Sequence, residues 1–379
     1  MDTSTMTGPT TFIQHAANVA SSYGFRPLRE FERALPDMER TNNAHSFENT
    51  AQTCFACARN AEPALGFYAT PTPTNVPRPH DTRDTGEFGL HIAGSPESMS
   101  EALLLKTLAT IVTEWGCPIV RARVNTLGDR DSRLRFEREL TVYLRRHARE
   151  LDDNCRATIT ANPLAVYSCT NAQCRAIIAD APRAIHFLSE KSRVHFRDVL
   201  EKIERLDIPY ELDHTLVDHE RQPRTIFALD LAQEDPTIIG CACGRYDEYV
   251  RKLANRRDGY AVHASIFFHK KNARGTRFTF PATAMPKIYF VQLGARARLQ
   301  SLAVADMLRH ANVRVAQSFD AGCLSVQLAR ARELNVPNLL IIGQREALDG
   351  TITVRSMADG SQTNIPLAKF PRFLKTMHV

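Results

Sequence analysis

Cysteine and histidine are the residues whose types and spacing bear first on chemistry. Cys155, Cys169 and Cys174, with His186 and His195 further along, offer sulfur and nitrogen ligands that suit zinc. Their C-x13-C-x4-C spacing lacks a paired C-x2-C. The favoured reading is therefore helix-packing thiols with no metal expected, and zinc stays open. Cys54 and Cys57 do have the C-x2-C spacing, but in apolar helical surroundings two cysteines are more often small core residues. Cys241 and Cys243 alternate along an expected strand and share one side of it. No Cys/His pair suggests a nucleophile. The peptide Gly244-Arg245-Tyr246-Asp247 would, taken alone, read as a turn. Arg130, Arg133, Arg135, Arg138, Arg145, Arg146 and Arg149 fall on one expected amphipathic helix. Such a face is commonly solvated, with i,i+4 pairing to acids such as Glu137 and Glu139.

The elements that must position these residues follow from periodicity. Phe12, Ala16, Val19 and Ala20 fall at helical spacing, and Gly24 is placed to end that helix. From Thr70 to Asp84 the chain is rich in Pro and Thr, which forbids a regular helix or a central strand and predicts an exposed connection. Glu87 to Ile92 alternates as a strand. Ser98 to Trp115 is a strongly apolar helix with Ser95 or Ser98 as its N-cap. Val120 to Leu127 predicts a strand, Ser132 to Leu151 a charged helix, and residues 155 to 210 mostly helix with irregular joints. Strands are expected at Thr225 to Leu231 and Thr237 to Cys241. Beyond Met285-Pro286, strands at Lys287 to Leu293, Val313 to Gln317 and Asn338 to Ile342 alternate with helices at Ala295 to Ala311 and Leu324 to Leu334. A strand pair, Thr351 to Met357 and Thr363 to Leu367, follows. This alternation predicts a compact α/β domain with its own core.

The chain has 379 residues, enough for two or three domains, with 43% hydrophobic and 24% charged residues, as expected of a globular protein. No apolar run approaches the roughly 18 residues of a spanning helix, and no secretory signal pattern opens the sequence, so a cytoplasmic protein is expected. Nine cysteines in such a setting are read as free thiols or metal ligands. Lys and Arg number 48 against 42 Asp and Glu, a net charge of +6 that is compatible with RNA without requiring it.

Several peptides stand in an order that adds to this reading. Gly128-Asp129-Arg130, Asn162-Pro163-Leu164, and Cys169 to Cys174 before Ala181-Pro182 come first. Cys243-Gly244-Arg245-Tyr246-Asp247 and the run from Pro286 through Met357 follow. Together the chain resembles the histidyl-tRNA synthetases, class II enzymes, over roughly Thr11 to Lys369. The resemblance implies that Gly244, Arg245, Tyr246 and Asp247 line an amino-acid pocket. It implies an insertion domain, in which similar cysteines occur, and a C-terminal anticodon-binding domain. It also places the arginine-rich helix near the tRNA acceptor arm, with Arg138, Arg145 and Arg146, then Gln327 and Arg330, as RNA-binding candidates.

The departures bear on catalysis. Activating an amino acid with ATP needs arginines around developing negative charge. Phe67-Tyr68-Ala69-Thr70-Pro71 resembles the strand before the phosphate-clamping Arg, but Thr72-Pro73-Thr74-Asn75 follows where that Arg is expected. Leu216-Val217 is followed by Asp218, where the family carries its reactive-site Arg. Lys270 falls on the third motif's Arg, preceded by His269, and Phe31 on the Pro of the first motif. Losing one such donor costs a factor of about 10² to 10³ in rate. Arg78, Arg83 and Lys270 are the candidate replacement charges.

The expected fold is α+β. A class II synthetase-like, mainly antiparallel core at 11–150 and 214–280 is interrupted by a helical insertion at 151–213, and an α/β anticodon-binding-like domain follows at 286–379. The expected function is a histidyl-tRNA synthetase-like protein with decayed catalytic motifs that does not charge tRNA and instead binds tRNA or another RNA, or serves as a regulatory subunit. The alternative is an active histidine–tRNA ligase. No cofactor is expected, with ATP and Mg entering only on the alternative. A homodimer or a protein partner is compatible with the sequence.

Overall fold

The structure is a computed structural model that describes residues 9–33, 51, 53, 63–71, 73, 84–232, 237–253, 255, 259–270, 278, 280, 286–317 and 323–376. Arg78, Arg83, Cys54, Cys57 and most of the Pro- and Thr-rich connection lie outside these residues.

Its first part is an eight-stranded sheet of order β1-β2-β3-β8-β7-β6-β4-β5. The strands are β1 (Arg26–Pro27), β2 (Ala64–Thr70), β3 (Thr85–Ala93), β4 (Ile119–Thr126), β5 (Tyr210–Leu212), β6 (Thr225–Leu231), β7 (Ile238–Arg245) and β8 (Ala261–His269). Only the edge pairs β1–β2 and β4–β5 are parallel. Helices α1 (Pro9–Ser22) and α3 (Met99–Glu114) cover one face, and the short α2 (Leu28–Arg33) lies between β1 and β2 in sequence. Period-two alternation decides the faces: Phe88, Leu90 and Ile92 enter the core with Phe12, Ala16 and Leu108, while Glu87 and His91 point the other way. The alternating run 87–92 predicted as a strand is therefore strand β3, lengthened by pairing on both sides.

Helix α4 (Arg130–Arg146) is capped by Asp129, whose side chain accepts from Ser132 N. It ends before the Leu151 expected from the sequence, giving way to turns at 147–150. Next come α5 (Asp153–Thr158), a 3-10 turn at Pro163–Ser168, α6 (Ala172–Ala179) and another 3-10 turn at Ala184–Phe187. These share a small core with α4 through Phe136, Leu140, Leu164, Val166 and Ile178. Helix α7 (Glu190–Arg205), in contrast, sends Phe196, Val199 and Ile203 into the main core. The part packed away from the sheet thus ends near Phe187. Helix α8 (Asp247–Leu253) follows β7 directly, because Gly244-Arg245 continues the strand instead of forming a turn.

The second part is a five-stranded sheet of order β10-β9-β11-β12-β13. It is built from β9 (Ile288–Gln292), β10 (Val315–Gln317), β11 (Asn338–Ile342), β12 (Thr351–Ser356) and β13 (Gln362–Pro366). Central β9 pairs in parallel with β10 and β11, so both of its faces are buried. Ile288 and Phe290 meet α9 (Ala295–His310), α11 (Gln344–Asp349) and α12 (Phe370–Leu374); Tyr289 and Val291 meet α10 (Leu324–Glu333). Periodicity did not reveal α11, although Glu346 returning to Gly343 N at 2.9 Å and left-handed Gly350 are start and stop signals. Helix α9 also docks on the first part: Leu302 and Ala305 join the main core, and Lys106 Nζ lies 2.6 Å from Asp306. Tyr23 donates its hydroxyl to the same Asp306.

Candidate functional site

The sheet face opposite α1 and α3 carries a buried polar chain. Residues His91 and His263 are direct partners across β3 and β8, and Gly89 stands opposite both Tyr68 and Ser265. Glu87 Oε1 accepts from Tyr68 Oη at 2.8 Å and Ser265 Oγ at 2.6 Å. His263 Nε2 lies 3.0 Å from Ser265 Oγ, and its Nδ1 is 3.5 Å from His91 Nδ1. Burial opposes the Glu87 charge, but His263, Ser265 and Tyr68 hold its carboxyl below the ordinary range. Burial, then the charge of His263, push His91 well below the usual imidazole value, which keeps that ring neutral. Such a chain can set one positive charge on a ring against one negative charge on Glu87. The sequence signal was present as Glu87 and His91 on one strand, and His263 and Ser265 on the other, alternating with apolar residues.

Arg245 organises the neighbouring end of the sheet. All five of its N–H donors are engaged: Nε and Nη2 grip Glu101 at 2.7 and 2.6 Å. Nη1 reaches Ser95 O and Asp247 at 3.0 and 3.2 Å, and Nη2 also donates to Glu97 O at 2.8 Å. Burial again opposes the charge of Glu101, and Arg245 followed by His195 holds its carboxyl far below the ordinary range. His195 Nε2 stands 2.8 Å from Glu101, which accounts for this histidine. Tyr246 is buried, and burial first, then the charge of Asp218, raises its hydroxyl. A Cβ on Gly244 would meet Thr225 O at 2.9 Å, so only glycine fits there.

Beside this hub opens a cleft of about 440 Å³ lined by Glu97, Asp129, Lys191, His195, Arg224 and Arg251 among others. Its size suits a small polar ligand. Arg224 donates to Lys191 O at 3.4 Å, its Nε has no hydrogen-bond partner among the described residues, and burial lowers its pKa. No sequence pattern singled out this cleft, because its residues come from six separate segments.

The remaining sequence candidates fall in different places. Lys270 is buried and donates to Pro71 O at 2.5 Å, at the start of the Pro- and Thr-rich connection. Asp218 caps a tight turn by accepting from the backbone N–H groups of Glu220 and Arg221 at 3.1 and 3.0 Å. Arg138, Arg145 and Arg146 are exposed, whereas Arg133 on the same helix is buried against Glu248 at 3.0 Å. Gln327 requires correction as an RNA contact: it has no exposed surface and spends both amide ends on the backbone of Gln292, at 2.9 and 2.8 Å. Arg330 is half-buried and pairs with Glu333 at 2.7 Å. Cys155, Cys169 and Cys174 converge on Asp152 rather than on either histidine.

The model of the anticodon binding domain family matches residues 287–377. A histidine–tRNA ligase of Halorhodospira halophila is 27% identical over 398 residues, covering 94% of this chain and 91% of that protein. One from Thermosynechococcus vestitus is 28% identical over 289 residues, 75% of this chain and 66% of the relative. A solved apo histidyl-tRNA synthetase of S. aureus is 18% identical with a TM-score of 0.47, covering 94% of this chain and 93% of that one. Over more than nine-tenths of its length the chain is thus similar in sequence to the histidine–tRNA ligases, and its residues 287–377 match the anticodon binding domain family.

Proposed function

We propose that this protein binds tRNA or another RNA, alone or as a regulatory subunit, and does not activate histidine. The observation that carries the reading is Asp218. A carboxylate stands where the family's reactive-site Arg would meet an anionic transition state, and two backbone N–H groups fix it there. Lys270 supports the same reading, since its ammonium donates to the Pro71 carbonyl and lacks the planar fork of arginine. RNA binding is supported by the anticodon binding domain match at 287–377 and by the exposed Arg138, Arg145 and Arg146. A cytoplasmic homodimer belongs to this reading too.

One observation favours the active histidine–tRNA ligase instead. Arg221 lies three residues beyond Asp218, with its side chain 13% exposed and its charge acting on Tyr246. It would supply a cation to the same neighbourhood, with Arg78, Arg83 or Lys270 as further replacements and with ATP and Mg as the required co-reactants. Histidine-dependent ATP–pyrophosphate exchange separates the two readings, and tRNA binding at two salt concentrations tests the RNA arm.

A further inference from the structure

The helical insertion contains a cluster that neither synthetase reading uses. Asp152 caps α5, Cys155 sits in its first turn, Cys169 ends the 3-10 turn and Cys174 lies in the first turn of α6. One ligand atom from each lies within 4.8 Å of every other. A zinc ion bound by sulfur at about 2.3 Å needs donors about 3.8 Å apart, so a modest contraction completes the shell. The carboxylate is already divided for the purpose. Its Oδ1 accepts from Cys155 N at 2.7 Å, while Oδ2 faces Cys169 Sγ at 3.2 Å and Cys174 Sγ at 3.4 Å. The backbone N–H of Asp152 donates to Cys174 Sγ at 3.3 Å, the outer-shell bond that steadies a metal thiolate.

We propose that Asp152, Cys155, Cys169 and Cys174 bind one Zn²⁺ in a closed tetrahedral site that staples the insertion. Asp152-x2-Cys155 supplies the two-residue spacing absent among the cysteines, with a carboxylate in place of one thiol. Binding forms three Zn–S bonds and one Zn–O bond and releases the three thiol protons to solvent, with no change of oxidation state. All four positions are filled by protein, which makes the site structural rather than catalytic.

The packing explains the need for it. Helices α5 and α6 have six and eight residues, and isolated helices of that length do not persist in water. Their shared core is small, and a cross-link between three short elements offsets the missing apolar burial. Packing alone accounts poorly for Cys169, which is half-exposed yet aimed at the same oxygen as Cys174. A disulfide would use two of the three thiols and leave the third with Asp152. Arg156, paired with Asp153 at 3.2 Å and donating to the Ala148 and Leu151 carbonyls, places positive charge beside a site of net negative charge.

The test uses the full chain purified after gel filtration with a weak chelator, its metal counted by plasma mass spectrometry. About one zinc per chain is expected. Cys323→Ser should keep that stoichiometry, and Cys169→Ser should lose most of it. Should Cys169→Ser fail to fold, cobalt titration of metal-stripped wild type replaces it, with intense tetrahedral thiolate–cobalt absorption expected. Asp152→Cys should retain metal with at least wild-type affinity. Absence of both zinc and the cobalt absorption in wild type would overturn the site, as would unchanged metal content in Cys169→Ser. Loss of metal in a folded Asp152→Cys would overturn the role given to Asp152.

Discussion

Arg245 and Glu101 meet through two parallel charge-assisted hydrogen bonds of 2.7 and 2.6 Å, and neither side chain is exposed to solvent. The pair joins the end of β7 to the first turn of α3, so the pocket-like peptide of the sequence is an internal brace of the sheet. Glu101→Ala leaves a buried guanidinium without its main partner and should cost about 3 to 5 kcal/mol, read as a lower urea midpoint. Arg245→Met combined with Glu101→Leu should cost clearly less than either single change. Equal or additive losses would mean that the pair is not an isolated unit.

The same pair predicts an acid limb. The folded Glu101 carboxyl lies far below its unfolded value of about 4.3, so its contribution is complete above that value and is lost as pH falls from about 5. Glu101→Gln should flatten stability against pH in that window. An unaltered slope would show that other carboxylates dominate acid unfolding.

His91 predicts a second, higher window. Its folded pKa is depressed by burial and by His263, so the unfolded chain binds more protons below about 6.5. Stability should rise with pH through that region and fall as pH drops below it. His91→Gln should reduce the slope between pH 7 and 5, measured by urea midpoints in matched buffers; a slope as steep as wild type would assign the loss to another group.

Gly89 is held by its neighbour's ring. A Cβ there would lie 2.2 Å from Tyr68 Cε1, whereas one on Gly240 meets nothing within 4 Å. Gly89→Ala should destabilise by about 1 to 3 kcal/mol, because Tyr68 must leave Glu87 to make room. Gly240→Ala is the control and should be nearly neutral. A tolerant Gly89→Ala would show that the Tyr68–Glu87 bond is dispensable.

Much of this architecture was legible from local pattern. Strands β6 and β11 and helix α9 stand within a residue of where periodicity put them, because each buries one face or lies between clear breakers. The second sheet and its helices α9 and α10 were readable for the same reason. What escaped depends on distant pairing. Gly244-Arg245 reads as a turn until Glu101, more than a hundred residues earlier, neutralises the arginine and lets the strand run on. Asp152 carries no sign of its neighbours Cys169 and Cys174 until the two short helices fold together. Gln327, a candidate RNA contact in the sequence, serves the packing instead, since it satisfies the β9 backbone. Conversely, the polar alternation of β3 and β8 was visible but meaningful only once the strands were adjacent.

RNA binding should show in salt dependence. Arg138, Arg145 and Arg146 are exposed and make no ion pair among the described residues. If each meets a phosphate, changing all three to Gln should lower the slope of log affinity against log salt by about 2 to 3 units. Filter binding of total tRNA across a salt series reads this directly. A slope shared with wild type would move the interface elsewhere, and Arg330→Gln on the C-terminal domain would be the next variant.

The central claim rests on Asp218, and histidine-dependent ATP–pyrophosphate exchange by the purified full chain tests it most directly. The account predicts no exchange above background, alongside tRNA binding that weakens with salt. Exchange that requires histidine and is abolished by Arg221→Ala would contradict it and identify an active ligase with a relocated arginine.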